Sequence, residues 1–351
     1  MPDMGVLAGR RNEEAKMTGH LIRDDSSDQT RFPWLSSYRL SSVENRLLAD
    51  ALRHYQVFTD AQFPPDVGRQ SLLAQIAADK SLAQAAPGLK RLLEKARTDQ
   101  VDCIYVTNLP TERSITCLLS LTLGSSIGKA FNQGSQKDGR LVMEVDSDRC
   151  DGEERTELDW HTEGAWIARD RRAEWVGLLG VENTPGSHVA YAPIKPVEQT
   201  LSARAKGWLH DESACFRFPR SFALDPTAWS APRAVLSRSS LGHTEIAWPG
   251  SAVRSAKPGD TVGPVALAEL SSEIGRQHVR AAIAAGSFLA FSNIRGVHRL
   301  EVAGDGYSLL YKTYARHSLR TLQAKGESGP LFSLTGADAP RAELLTVGIV
   351  A

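Results

Sequence analysis

The chain has no excess of either charge: 41 lysines and arginines face 41 aspartates and glutamates, a formal net charge of zero over 351 residues. No overall positive field exists to gather nucleic acid or an anionic membrane, so neither is expected as a partner. Long apolar runs are also missing. No stretch approaches the roughly 18 residues of a membrane span, and the opening MPDMGVLAGRRNEEAK lacks the apolar core of a secretion signal. The expected compartment is the cytoplasm. The four cysteines, Cys103, Cys117, Cys150 and Cys215, form no C-x-x-C pair, which argues against a zinc ribbon or redox dithiol and for unpaired thiols in a reducing compartment. Hydrophobic residues at 42% and charged ones at 23% exclude the composition of disordered chains and leave a folded globular protein.

Periodicity divides the chain. Residues 1–35 are polar, with little repeat, and read as a mobile arm. At Ser41 the pattern becomes helical: Ser41-x-x-Glu44 is a capping box, and Leu47, Leu48, Leu52 and Tyr55 recur on one face. A second helical block covers 71–98, interrupted near Pro87-Gly88, then a strand at 102–107 and a helix at 112–123. Short β-type runs follow at 140–145, 157–163, 174–182, 187–194, 214–218, 233–238, 244–248, 287–292 and 307–315, broken by helices at 196–209 and 264–284. A helical flank feeding a many-stranded core predicts an α+β chain built on a β-sandwich or barrel, in one domain over 36–320, with an irregular tail at 321–351.

Two motifs fail on context. Gly124-Ser125-Ser126-Ile127-Gly128 matches the G-x-S-x-G of a serine hydrolase elbow, but a helical pattern precedes it where a strand is required, so the glycines are read as ending that helix. Gly124-x-x-x-Gly128-Lys129-Ala130 is one residue short of a phosphate loop and lacks the hydroxyl that would hold magnesium.

The run Glu157-Leu158-Asp159-Trp160-His161-Thr162-Glu163-Gly164 carries more. On a strand, residues two apart share a face, so His161 and Glu163 would offer an imidazole and a carboxylate to one point. Asp159 shares that face and is the rival carboxylate. Farther on, the apolar strand in Gly286–Arg299 delivers His298 just past the turn Asn293-Ile294-Arg295-Gly296. Two histidines and one carboxylate on one side of a metal leave the opposite positions open, as in non-haem iron(II) oxygenases. His188, His278 and His317 have no such context and are read as core or surface residues.

His161-Thr162-Glu163, the strand Trp175-Val176-Gly177-Leu178-Leu179, the strand end Ala190-Tyr191-Ala192-Pro193-Ile194 and the run Phe291–His298 together resemble the clavaminate synthase-like branch of the iron(II)/2-oxoglutarate oxygenases, which includes asparagine and arginine hydroxylases. The resemblance covers about residues 100–320. It implies a distorted double-stranded β-helix, or jelly roll, with flanking helices, and iron(II) held by His161, Glu163 and His298. It further implies 2-oxoglutarate as cosubstrate, dioxygen as oxidant, and hydroxylation of an amino acid or related small metabolite. The family's arginine for the far carboxylate of 2-oxoglutarate falls on Lys312. A second family arginine, four residues on and on the same strand face, falls on Arg316. Lysine keeps the charge without the bidentate fork. Where the family offers a threonine hydroxyl to the cosubstrate, this chain has Val189, and Ser187 is the nearest hydroxyl. The segment 243–260 lacks the acidic pair of an arginine hydroxylase and carries Trp248 and Arg254. Two alternatives stay open: an iron oxygenase that does not use 2-oxoglutarate, and a non-catalytic metal-binding jelly-roll protein.

Overall fold

The computed structural model describes residues 20–22, 31–55, 67–131, 141–146, 159–218, 229–301 and 307–319. The tail 321–351, and most of the arm 1–35, lie outside them. In chain order the elements are β1 (His20–Leu21), β2 (Leu35–Arg39), α1 (Ser42–Arg53), α2 (Val67–Ile76), which runs on through a π-helical segment, α3 (Pro87–Arg97), β3 (Cys103–Thr107), α4 (Arg113–Ile127), β4 (Lys129–Phe131), β5 (Val142–Asp146), β6 (Trp175–Asn183), β7 (His188–Pro193), α5 (Ile194–Thr200), α6 (Ala203–His210), β8 (Ala214–Phe216), β9 (Leu236–Arg238), β10 (Thr244–Ile246), β11 (Val253–Ser255), α7 (Gly263–Arg276), β12 (Val279–Ala282), β13 (Phe288–Ser292), β14 (Gly296–Glu301) and β15 (Ser308–Arg316).

A seven-stranded sheet runs β2-β3-β13-β6-β15-β4, with β5 also on β15, and a four-stranded sheet runs β1-β12-β7-β14. Alternation on the strands builds the layers. Tyr105, Val176, Leu178, Leu289 and Phe291 of the larger sheet share one apolar cluster with Val189, Tyr191, Val279 and Ala281 of the smaller. Residues of opposite parity face outward: Ile104, Val106, Phe288 and Ala290 pack under α1 to α4, and Ala190, Ala192 and Val297 pack under α5 to α7. The order is therefore helices, sheet, sheet, helices. Among the described residues, no helix is long and apolar enough to cross a membrane.

Local signals explain most boundaries. Ser41 caps α1 reciprocally with Glu44, as the sequence predicts. α4 is buried along most of its length, and it ends in the suspect glycine motif. A Cβ on Gly124 would stand 2.7 Å from Thr313 Oγ1 of β15, so this glycine lets helix and sheet approach. Three expectations are corrected. The helix predicted at 196–209 is two, because Ser202 starts α6 as an N-cap, accepting from the Ala205 amide. The helix predicted at 264–284 stops at Arg276, and β12 follows because Val279 and Ala281 alternate into the inter-sheet core. The described part of the strand predicted at 157–163 is a turn with one β-bridge, His161 to His298.

Candidate metal centre

β13 lies in the larger sheet and β14 in the smaller, so the turn Asn293–Arg295 carries the chain from one layer to the other. His298 then faces inward from β14 opposite Tyr191 of β7. His161 closes on the free edge of β14: its amide donates to the His298 carbonyl (2.9 Å), and the His298 amide donates to the His161 carbonyl (3.0 Å). Glu163 is placed by Asn293, which is fully buried. The Glu163 amide donates to Asn293 Oδ1 (2.7 Å), and Asn293 Nδ2 donates to the carbonyls of Glu163 and Ala173, each at 3.0 Å. Gly164 follows with φ +62°, a left-handed turn that leads the chain away.

The outcome is a cluster in which one donor atom each from His161, Glu163 and His298 lies within 4.8 Å of the others. Glu163 Oε1 is 3.5 Å from His298 Nε2 and 3.9 Å from His161 Nε2. The imidazole centroids are 4.3 Å apart. Asp159, the rival, is exposed and outside the cluster. Its side chain accepts the Trp160 amide at 2.7 Å, while its carbonyl lies 2.6 Å from His161 Nδ1. An Nδ1–H donated to that carbonyl leaves the Nε2 lone pair aimed at the cluster.

Protonation suits metal binding. Burial and the neighbouring His161 depress His298 to about 4, so its ring is neutral at neutral pH. Burial alone would raise the Glu163 carboxyl, but Lys312 and the two imidazoles overcome it and hold the group well below the usual carboxylate range. Two imidazoles and one anionic carboxylate, converging from three segments, fit a divalent transition metal with open positions.

Two residues of β15 complete the surroundings. Lys312 Nζ lies 2.9 Å from Glu163 Oε1, and the Tyr314 hydroxyl donates to Glu163 Oε2 at 2.6 Å. Lys312 is thus brought to the centre as the sequence suggests, whereas Tyr314 was missed. It shares a strand face with Lys312 and Arg316, but an aromatic on a buried strand carries no sequence signal that separates it from core. Asn293 was read only as a turn residue. Arg316 is also buried but engaged elsewhere: with Glu174 (3.2 Å), the Ser318 carbonyl (3.3 Å) and the Arg172 carbonyl. Ser187 is not brought to the cluster. It precedes β7 by one residue, four positions from Tyr191, or roughly 13 Å along the strand, and its buried hydroxyl has no partner among the described residues. Trp248 packs in the outer core, and its backbone is held by Thr162, whose amide donates to the Trp248 carbonyl (2.7 Å) and whose hydroxyl accepts the Trp248 amide (3.0 Å). A cleft of about 410 Å³ adjoins it, lined among others by Asp159, Trp160, Val253, Arg254 and Leu267.

No protein-family model matches the chain, and no curated protein matches it. Solved structures do. Asparagine oxygenase in complex with Fe(II), (2S,3S)-3-hydroxyasparagine and succinate is similar at TM-score 0.71 and 21% identity, over 84% of this chain and 98% of that one. The non-heme iron oxygenase OrfP is similar in its complex with Fe and alpha-ketoglutaric acid, at TM-score 0.68 and 17% identity, over 85% and 100%. Its complex with Fe, succinate and (3S)-hydroxy-L-Arg gives TM-score 0.68 and 17% identity, over 85% and 99%. At these identities the likeness establishes a shared fold.

Proposed function

We propose that the protein is an iron(II)- and 2-oxoglutarate-dependent oxygenase that hydroxylates an amino acid or a related small metabolite, on a jelly-roll core formed by the two facing sheets. The observation that carries this reading is the convergence of His161 Nε2, His298 Nε2 and Glu163 Oε1 within one cluster, on the fold of oxygenases crystallised with iron and with 2-oxoglutarate or succinate. When bound, iron(II) and 2-oxoglutarate supply oxidative decarboxylation of the cosubstrate by dioxygen and insertion of one oxygen atom into a substrate C–H bond.

The chain's own groups have separate tasks. His161, Glu163 and His298 hold the metal through two nitrogens and one anionic oxygen. The Asp159 carbonyl fixes the ring of His161. Asn293 fixes the backbone of Glu163 from both sides. Lys312 offers an ammonium beside the triad for the far carboxylate of 2-oxoglutarate. It suits that role better than Arg316, whose guanidinium is already committed to Glu174 and two carbonyls. The two acidic residues of 243–260 are already engaged, Glu245 by Arg169 and Asp260 by Trp208 and Ser255, so the segment offers no free acidic pair to a guanidinium and an amino acid other than arginine is favoured. Glu163 is a carboxylate where related halogenases carry a small residue that leaves room for chloride, so oxygen rather than chlorine is transferred.

Turnover under labelled dioxygen in excess chloride tests this. A product that gains one labelled oxygen, with one succinate formed per turnover, is expected. A chlorinated main product, or iron binding with no 2-oxoglutarate consumed, would overturn it. His161→Ala, Glu163→Ala and His298→Ala should each abolish iron binding while circular dichroism is unchanged. Full occupancy in Glu163→Ala, with loss in Asp159→Ala, would contradict the ligand assignment.

A further inference from the structure

Resting on that reading, we infer that Tyr314 is a positioning residue that restricts Glu163 to binding the metal through one oxygen. The two oxygens of Glu163 have different surroundings. Oε1 faces both imidazoles, at 3.5 and 3.9 Å. Oε2 accepts the phenol of Tyr314 at 2.6 Å. A free carboxylate beside a divalent ion can swing to bind through both oxygens, which uses up a coordination position. The bond from Tyr314 opposes that swing.

Tyr314 is placed to do this with little freedom. It stands on β15 between β6 and β4, paired with Val176 on one side and Phe131 on the other. Its side chain is 4% exposed and packs on the Phe131 ring, with centroids 6.3 Å apart. The hydroxyl is the donor and the carboxylate oxygen its acceptor. A buried phenol against a buried carboxylate makes a short, charge-assisted bond whose direction is set by an interior strand of the larger sheet. The position left open by one-oxygen ligation is one that 2-oxoglutarate, which needs two, or dioxygen would take.

The test uses the full-length, metal-free protein and cobalt(II) as the probe. In Tyr314→Phe, cobalt should still bind, but its ligand-field absorption should change in intensity and position as the carboxylate closes on the metal. The concentration of 2-oxoglutarate needed to perturb that spectrum should rise by about 10- to 100-fold. Identical spectra and an unchanged 2-oxoglutarate titration in wild type and variant would overturn the role. If the variant fails to fold, the unmodified protein decides: metal-minus-apo infrared difference spectra, assigned with Glu163→Gln, should show the wide separation of carboxylate stretches that marks one-oxygen ligation. A narrow separation, marking two-oxygen ligation, would refute the proposal. The cobalt spectrum does not require 2-oxoglutarate. A wild-type protein that binds cobalt but never responds to the cosubstrate would refute the proposed function, while the spectral change in Tyr314→Phe still decides the role of Tyr314.

Discussion

Lys312 and a metal ion would share one atom. The ammonium lies 2.9 Å from Glu163 Oε1, the oxygen that also faces His161 and His298. A divalent cation arriving there displaces the ammonium or is repelled by it, and the released lysine is then available to the cosubstrate. Lys312→Met should therefore tighten metal binding in isothermal titration while weakening 2-oxoglutarate. It should also lower the melting temperature of the metal-free protein, because a buried carboxylate loses its counter-ion. Weaker metal binding in that variant would contradict the competition. At this scale the sequence was informative for the wrong local reason. The spacing of a strand points to His161 and Glu163, yet the bridge to His298 and the side chain of Asn293 position them. Tyr314 was not legible, since an aromatic on a buried strand reads as core. Nothing in the linear pattern reveals that its hydroxyl meets a carboxylate 151 positions earlier.

The turn between β13 and β14 joins the two sheets and holds the centre together. Asn293→Ala would leave the Glu163 amide and two carbonyls without their partner, at roughly 1–3 kcal/mol for each buried group left unsatisfied. The expected result is a lower unfolding midpoint with iron affinity reduced further than stability alone explains. Equal iron affinity in the folded variant would count against the clamp. Gly296 opens β14, and a Cβ there would sit 2.4–2.6 Å from the Tyr191 ring and hydroxyl. Tyr191 is fully buried, so Gly296→Ala should destabilise by about 1–3 kcal/mol or more in denaturant unfolding, as overpacking does. Strands β3, β6, β13 and β15 of the larger sheet were legible because both faces are buried and their apolar runs are nearly continuous, whereas β2, only partly buried, was not. The short strands β4, β11 and β12 were not, because three or four residues carry too little period.

At the far end of β15, His317 lies 3.5 Å from Asp99, near Glu174 and Arg295. The bond to Asp99 and the charges of Glu174 and Asp99 raise its pKa against burial and Arg295. A raised folded value contributes stability that is fully present below the unfolded value of about 6.5 and is lost as pH rises through the folded one. The stability difference between wild type and His317→Asn should accordingly be largest below about pH 6.5 and shrink at higher pH. A gap independent of pH would show that the pair does not titrate as described.

Over the whole molecule, the fold class followed from the change of period near residue 139 and from the order of the motifs, and the layered architecture agrees with it. What could not be read was how the layers meet. Only the fold places β14 beside β7, beyond the reach of any local pattern, and so sets His298 against the inter-sheet core. The central claim is that this junction makes a site for iron and 2-oxoglutarate together. Anaerobic addition of iron(II) and then 2-oxoglutarate to the purified protein tests it most directly. The account predicts a weak visible charge-transfer band that saturates at one equivalent of each and is lost in His298→Ala. Iron bound at the triad with no band at any 2-oxoglutarate concentration would contradict it.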